Sequence, residues 1–413
     1  MLQALRAQAE QLDLEDELSP YRARFQLPAE TVYLCGNSLG AAPAGIEQRI
    51  SRTVTQEWAS GLVGSWNSAG WIELPRIAAR RLAPLIGADA ECIAVTDSTS
   101  VNLFKVLSAA LGLDPRRRRI VSERDNFPTD LYIAGGLIDL LGRRHELILV
   151  EDPEEIPAAL GDSGGILMLS HVNYRTGRML DMKGLTQLAH ERGALVIWDL
   201  AHSAGAVELD LAACNADFAV GCGYKYLNGG PGAPAFLYCA PHHLDRARQP
   251  LSGWFSHREP FAFDPDYTAA EGIRRFHTGT PPVLSLTAFA EALEVWRDVD
   301  MAAIRRKSNA LTGLFIEAVE KLCPDLTLVT PRDPDMRGSQ VCLSVPAGGL
   351  AIMRALIALG VVGDFRAPDI LRFGFAPLYN RFADAIRAAE MLARVLDEKI
   401  WEREEFQGKP AVT

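Results

Sequence analysis

Residues 221–232, GCGYKYLNGGPG, set one lysine between two tyrosines, after the apolar residues Phe218, Ala219 and Val220 and before a turn built of glycine and proline. A lysine among aromatic and small residues at a strand end can be partly desolvated. Desolvation disfavours the ammonium form, lowering its pKa and leaving an amine able to attack a carbonyl carbon. Lys225 could equally cap its strand in solvent, and this stretch alone does not choose.

A second stretch breaks the tie. Residues 194–198, ALVIW, make an apolar run of strand length that ends in Asp199, with His202 three residues on. A buried carboxylate is costly unless a cation or a hydrogen-bond donor meets it. The protonated ring nitrogen of pyridoxal 5'-phosphate is such a partner, and an ionised aspartate beside it keeps the ring an electron sink. A turn-capping role would account for Asp199 but not for its pairing with Lys225. Together the two residues favour a pyridoxal phosphate site with a Schiff base to Lys225.

At this point the chain resembles the fold-type I pyridoxal phosphate enzymes and, within them, the kynureninases. The phrases that carry the resemblance run in order from about Tyr33 to Arg381: CGNSLG (35–40), DSTSVNLFK (97–105), FPTD (127–130), SHVNYRTG (170–177), WDLAHSAG (198–205), GYKYLNGGPG (223–232), GWFSH (253–257), TGTPP (278–282) and RFGFAPLYN (372–380). The resemblance implies an α/β fold of the fold-type I transferase kind, with a mostly parallel central sheet flanked by helices and a smaller α+β C-terminal domain. Residues 1–40 are then expected to pack with the small domain, 41–282 to form the cofactor-binding domain and 283–413 the small domain. The activity implied is hydrolysis of L-kynurenine to anthranilate and L-alanine by cleavage of the β,γ carbon–carbon bond. Trp66 and Thr280, shared with bacterial members, imply a preference for kynurenine over its 3-hydroxy form. The pathway implied is tryptophan and kynurenine catabolism.

The elements that must position these residues follow from an alternation of apolar runs and helical spacing. Residues 92–96 are strand-like, 97–100 a turn and 102–113 helical, with apolar positions at 103, 106, 107, 110 and 111. A strand, polar turn and helix suit a phosphate, because the first free amides and the dipole of the helix face the turn. An ordinary N-cap would read the same way. Beside Lys225, the phosphate reading falls on Thr99 and Ser100. The loop around Phe127 and Asp130 sits at a presumed strand's carboxyl end, where open α/β sheets bind ligands. Phe127 can lie on a pyridine ring or staple a helix start, or both. The strands 194–198, 217–221 and 233–238 complete a sheet read as mostly parallel. After Pro282 an αββαβα order fits the smaller domain.

The remaining roles come from the resemblance. Asp130, Ser170 and His202 are implied to support the cofactor ring, and Tyr224, linked to the phosphate, to shuttle a proton. Catalysis is expected of Lys225, Tyr224 and Asp199. Asn37, Ser38 and Trp66 are implied substrate-side residues, and Arg372 the ligand of the α-carboxylate, matching the bidentate geometry of arginine. Trp254 and Thr280 are expected to cross a homodimer interface to the neighbouring subunit's phosphate, so a homodimer with shared active sites is implied. A cysteine desulfurase shares the lysine and aspartate but needs a mobile thiolate late in the chain; Cys323 and Cys342 lie in helix-like and strand-like apolar patterns instead. A class V aminotransferase, or a cofactor-binding protein without turnover, are further readings of the same residues.

Composition narrows the field. In 413 residues, 48% are hydrophobic and 23% charged, the proportions of a globular protein, and the length admits two domains. A net charge of −10 lacks the basic footprint of a nucleic-acid binder. The basic run Arg116 to Arg119 reads as a solvated turn. Seven cysteines without paired CxxC spacing fit a reducing cytosol, and no metal ligand set is read from spacing. The N-terminus leads into an acidic amphipathic stretch and no apolar run reaches membrane-spanning length, so a cytoplasmic protein without membrane or nucleic-acid partners is expected.

Overall fold

A computed structural model describes residues 2–161 and 164–408. Its centre is a seven-stranded sheet made of β1 (Ile93–Val95), β2 (Arg119–Glu123), β3 (Glu146–Val150), β4 (Ile166–Ser170), β5 (Leu195–Asp199), β6 (Phe218–Cys222) and β7 (Ala235–Cys239). The strand order is β1-β7-β6-β5-β4-β2-β3, and only β7 runs antiparallel to its neighbours. Every residue of β4, β5 and β6 is buried, which is why these strands read as unbroken apolar runs rather than alternating ones.

The alternation is present nonetheless, between two apolar cores. Leu167, Leu169, Val196, Trp198 and Ala219 point into one core, shared with the helix Leu74–Leu82. Ile166, Met168, Leu195, Ile197, Phe218 and Val220 point into the other. That second face is covered by helices of which α1 (Leu2–Glu15) is not one: α2 (Thr99–Leu113) supplies Leu103, Val106, Leu107 and Ala110, and α3 (Pro128–Leu140) supplies Ala134 and Leu137. On the first face α4 (Met182–Glu191) contributes Met182 and Ala189, and α5 (Val283–Leu293) contributes Leu286 and Phe289. Parallel strands require crossovers, and helices on both faces supply them.

A second body gathers around a four-stranded antiparallel sheet of β8 (Thr327–Leu328), β9 (Gln340–Ser344), β10 (Asp364–Arg366) and β11 (Ile370–Gly374), in the order β8-β9-β11-β10. The helices α6 (Met301–Leu322), α7 (Gly349–Ala358) and α8 (Phe382–Asp397) pack on it. Leu5 and Ala9 of α1, with Val32 and Leu34, lie in this same core, and the short strand Val32–Tyr33 pairs with Val361–Val362. The chain order after Pro282 is richer than αββαβα. The strand β10 was not expected, because its three residues, Asp364, Phe365 and Arg366, carry a polar pattern set by ion pairing rather than by burial of apolar side chains.

Candidate active site

The ends of β4, β5 and β6 are held in register. Ser170 pairs with Asp199 and Asp199 with Val220, so the residues that end these strands share one edge of the sheet. The chain leaves β6 at Cys222 and turns sharply, bringing the half-buried Lys225 to that edge. The turn is pinned from below by the CGNSLG phrase: the Gly40 amide donates to the Tyr224 carbonyl at 2.8 Å. A Cβ at Gly40 would strike the Lys225 carbonyl and Asn228, so only glycine fits beneath the loop.

A cavity of about 390 Å³ opens there. Lys225, Tyr224, Asp199, His202, Ser170, Phe127, Asp130, Thr99 and Ser100 all line it. Nine residues expected at a cofactor thus meet in one hollow, though they are spread from 99 to 225 in the chain.

The start of α2, where a phosphate is expected, borders the cavity. Ser98 caps this helix by accepting from the Val101 amide, leaving Thr99 and Ser100 in the first turn, whose amides have no partner within the helix. Asp97, just before it, holds a left-handed backbone (φ 47°), uncommon outside glycine though tolerated by aspartate, and its side chain is anchored. The anchor is Lys105, fully buried, whose ammonium donates at 2.5 Å to Asp97 Oδ2 and to the Phe276 carbonyl. Lys105 therefore fixes the turn that faces the cavity. It was not singled out in the sequence, where it reads as one lysine on a helix.

At the opposite end two carboxyls face each other. Asp130 is 2% exposed and its Oδ2 has no hydrogen-bond partner among the described residues. Burial, and then the nearby charge of Asp199, push Asp130 well above the usual carboxylate range. Burial also raises Asp199, but Lys225 and the Ala201 amide, which donates to Oδ1 at 2.7 Å, oppose it. Asp130 is the member that keeps the proton and Asp199 the member that carries the charge. A charged carboxylate and an unpartnered buried oxygen form a receptor for a cationic N–H, which is what a protonated pyridine presents. With a helix N-terminus for the phosphate and a lysine between, the residues fit pyridoxal phosphate.

His202 is held neutral. Burial, then the charges of Lys225 and Arg372, push its pKa well below the ordinary value. Its Nδ1 lies 2.7 Å from Gln340 Oε1, an acceptor, because Gln340 Nε2 donates to the Tyr174 carbonyl at 3.0 Å. Nδ1 therefore carries the proton. Gln340, on the second body, had no signal in the sequence. Phe127 is met edge-on by Tyr174, with ring centroids 5.2 Å apart. Tyr224 keeps its phenolic proton, because burial and the neighbouring Cys222 and Asp199 raise its pKa.

Arg372 approaches from β11, almost wholly buried. Its Nε donates to Asp364 Oδ1 at 2.6 Å, Nη2 donates to Asp364 Oδ2 and to Ser38 Oγ, and Nη1 donates to the Tyr174 carbonyl at 2.6 Å. Ser38 in turn donates to Asp364, so it holds Arg372 in place rather than standing free. Arg366 also meets Asp364, at 3.2 Å. Two guanidiniums share one carboxylate, and the surplus positive charge suits an anion. Asn37 lies against Gly374, where a Cβ would collide with its amide; both atoms of that amide are buried without partners. Asp364, like Gln340, was missed, because it follows a glycine in a strand too short to read.

Of the expected residues, Asn37, Ser38 and Arg372 do not line this cavity; Arg372 borders it through the carbonyl of Tyr174, which does. Three more are elsewhere in this chain. Trp66 lies edge-on against Trp71 at 5.9 Å and outside the cavity. Trp254 packs against Phe255 and Phe261, and Thr280 is exposed. Neither lines the cavity of its own chain.

Comparison with known proteins places these features in a family. The model of the kynureninase C-terminal domain matches residues 304–392. A kynureninase of Pseudomonas fluorescens is 52% identical over 408 residues, covering 97% of this chain and 98% of that one. A kynureninase of Burkholderia pseudomallei is 52% identical over 414 residues, covering 99% of each. Among solved structures, a cysteine desulfurase from Escherichia coli superposes with a TM-score of 0.78 at 20% identity, covering 92% of this chain and 99% of that one. A mutant of C-DES with glycine covalently linked to the PLP cofactor gives 0.78 at 19% identity, over 90% and 98%. At such identities the structural likeness speaks for the fold alone, a fold-type I one.

Proposed function

The chain belongs to the kynureninase family, and we propose that it hydrolyses L-kynurenine to anthranilate and L-alanine with pyridoxal phosphate attached to Lys225. The observation that carries the reading is the meeting of Lys225, Asp199 and Asp130 in one cavity with the open amides of α2. When bound, the cofactor supplies an electron sink conjugated to the substrate's α carbon.

The protein's own residues do the rest. Thr99 and Ser100 would hold the phosphate, Phe127 and Ser170 would flank the ring, and Asp199 would face its nitrogen. Arg372 offers the remaining N–H of Nη1 to the α-carboxylate, and Asn37 offers its unpartnered amide. Lys225, with its amine free, would take the α-proton as a general base and later return a proton. Tyr224, protonated at neutral pH, donates at the later steps. Across the whole reaction water's oxygen joins the aryl carbonyl carbon, which becomes the carboxylate of anthranilate. The β carbon gains a proton and becomes the methyl group of alanine.

The desulfurase alternative loses support from the thiols. Cys323 and Cys342 are buried, and burial pushes them up to about 12 and about 11, so neither is a ready nucleophile. Trp254 and Thr280 serve the partner's phosphate in a homodimer. Supporting this is an exposed apolar set, Trp58, Leu62 and Val63 in one segment and Trp254, Phe261 and Phe263 in another, of the kind that marks an interaction face. In such a dimer Trp66 would meet the substrate's ring, favouring kynurenine over 3-hydroxykynurenine. No helix among the described residues is long and apolar enough to cross a membrane; a cytosolic setting is the reading that reduced cysteines support.

The test is to load the protein with pyridoxal phosphate, add L-kynurenine and follow anthranilate fluorescence, with 3-hydroxykynurenine and Lys225→Ala alongside. Anthranilate with equimolar alanine, lost in the variant, is the expected result. A protein that binds the cofactor and releases no anthranilate would overturn the reading.

A further inference from the structure

At the other end of β6 from Lys225, three histidines converge on one carboxylate. Asp217, which precedes β6, is 1% exposed. Its Oδ2 accepts from the Val196 amide and from His190 Nε2, both at 2.8 Å. Its Oδ1 accepts from His243 Nε2 at 2.7 Å, and His242 Nε2 stands 3.6 Å from the same oxygen. His242 and His243 follow β7 in the short turn Pro241–His243, with ring centroids 4.0 Å apart.

The fold accounts for part of this cluster. A buried carboxylate needs donors, and the Val196 amide, His190 and His243 supply them. His242 is the residue left over. At 3.6 Å its Nε2 is too far to hydrogen-bond Asp217. That spacing is, however, close to the separation of about 3.4 Å between two ligands on one tetrahedral ion with bonds of about 2.0–2.1 Å. Two imidazoles and a carboxylate are a ligand set taken by Zn²⁺ and its first-row neighbours.

We propose that Asp217, His242 and His243 bind one divalent first-row transition ion, with solvent completing its coordination. His190, on the other carboxylate oxygen, then orients the ligand from behind, as outer partners of metal sites do. His242, whose side chain is 54% exposed, provides the way in. The proton now between His243 and Asp217 must leave that line for the ion to enter. His243 Nδ1 is buried without a partner among the described residues, so the proton can move there without breaking another hydrogen bond. The pair then opens from 2.7 Å by about 0.7 Å to the spacing of two ligands. The ion would tie the start of β6 to the segment after β7 and to the end of α4. It is a structural site, away from the reacting atoms.

The experiment uses EDTA-treated protein loaded with pyridoxal phosphate, in a buffer that does not chelate. Zn²⁺ is titrated calorimetrically and Co²⁺ by its visible spectrum, in parallel with His242→Ala, which spares the buried His243–Asp217 bond. One Zn²⁺ per chain, a raised melting temperature, the strong visible bands of tetrahedral Co²⁺, and affinity at least about tenfold weaker in the variant are expected. Its activity without metal should match the parent's. Binding that is the same in His242→Ala, or no stoichiometric binding, overturns the proposal.

Discussion

Asp364 grips the Nε edge of the Arg372 guanidinium at 2.6 Å, inside a site where both side chains are almost wholly buried. The arginine expected to clasp a substrate carboxylate with its fork already has a carboxylate there. The edge left for a substrate in the proposed reading is the remaining one, and Asp364 fixes which edge that is.

Asp364→Asn is therefore expected to raise KM for kynurenine by about tenfold to a hundredfold while kcat changes less, since the interaction lost is one that binds substrate and transition state alike. Steady-state kinetics checks it. An unchanged KM, or a loss confined to kcat, would remove Asp364 from the positioning of Arg372.

Asp130 and Asp199 differ in charge, so neutral replacements should separate them. Asp130→Asn replaces a protonated carboxyl by a neutral amide of like shape and should keep the cofactor, with activity within about tenfold. Asp199→Asn removes the charge proposed to face the ring nitrogen and should lower kcat by more than about a hundredfold. The visible absorbance of the bound cofactor and kcat, measured on both variants, decide; equal effects would contradict the assignment of proton and charge.

Stability should fall as the solution is acidified. Burial pushes His171 and His277 down from 6.5 to about 4, with Arg305 acting on the first and Lys105 on the second. Above pH 6.5 each is neutral folded or unfolded, and its contribution is fully present. Below it the unfolded chain takes up protons that the folded chain refuses, so stability is lost as pH drops toward 4, on the order of 3 kcal/mol for each histidine. Urea unfolding across this window, with cofactor in fixed excess, tests it. A flat profile between pH 6.5 and 5 would count against buried neutral histidines.

If Trp254 and Thr280 complete the neighbouring subunit's site, two inactive proteins should repair each other. Mixing Lys225→Ala with Trp254→Ala and letting subunits exchange gives hybrid dimers in which one site carries both defects and the other neither. Activity should recover to about a quarter of the parent's. No recovery, with exchange verified by mass, would leave each site within its own chain.

Some of this was legible before any coordinates. The strands β4, β5 and β6 are buried on both faces, so burial itself writes them as apolar runs, and the residue that ends such a run is pushed to the sheet's edge. Asp199 and Lys225 could be paired on that ground, and Thr99 and Ser100 followed from a strand, a turn and a helix start. Local chemistry of this kind depends on near neighbours in the chain, and near neighbours are what a sequence displays.

Other parts depend on contacts that no spacing records. Asp364 meets Arg372 because β10 and β11 pair antiparallel, and Gln340 sets the proton on His202 across 138 residues. Lys105 fixes the turn before α2 by reaching Asp97 and the carbonyl of Phe276. His242 approaches Asp217 only because β7 returns antiparallel beside β6. The sequence by itself determined which residues are costly to bury without a partner; the tertiary structure decided the partners, since a charge inside the protein is stabilised by whatever the packing brings within hydrogen-bond reach.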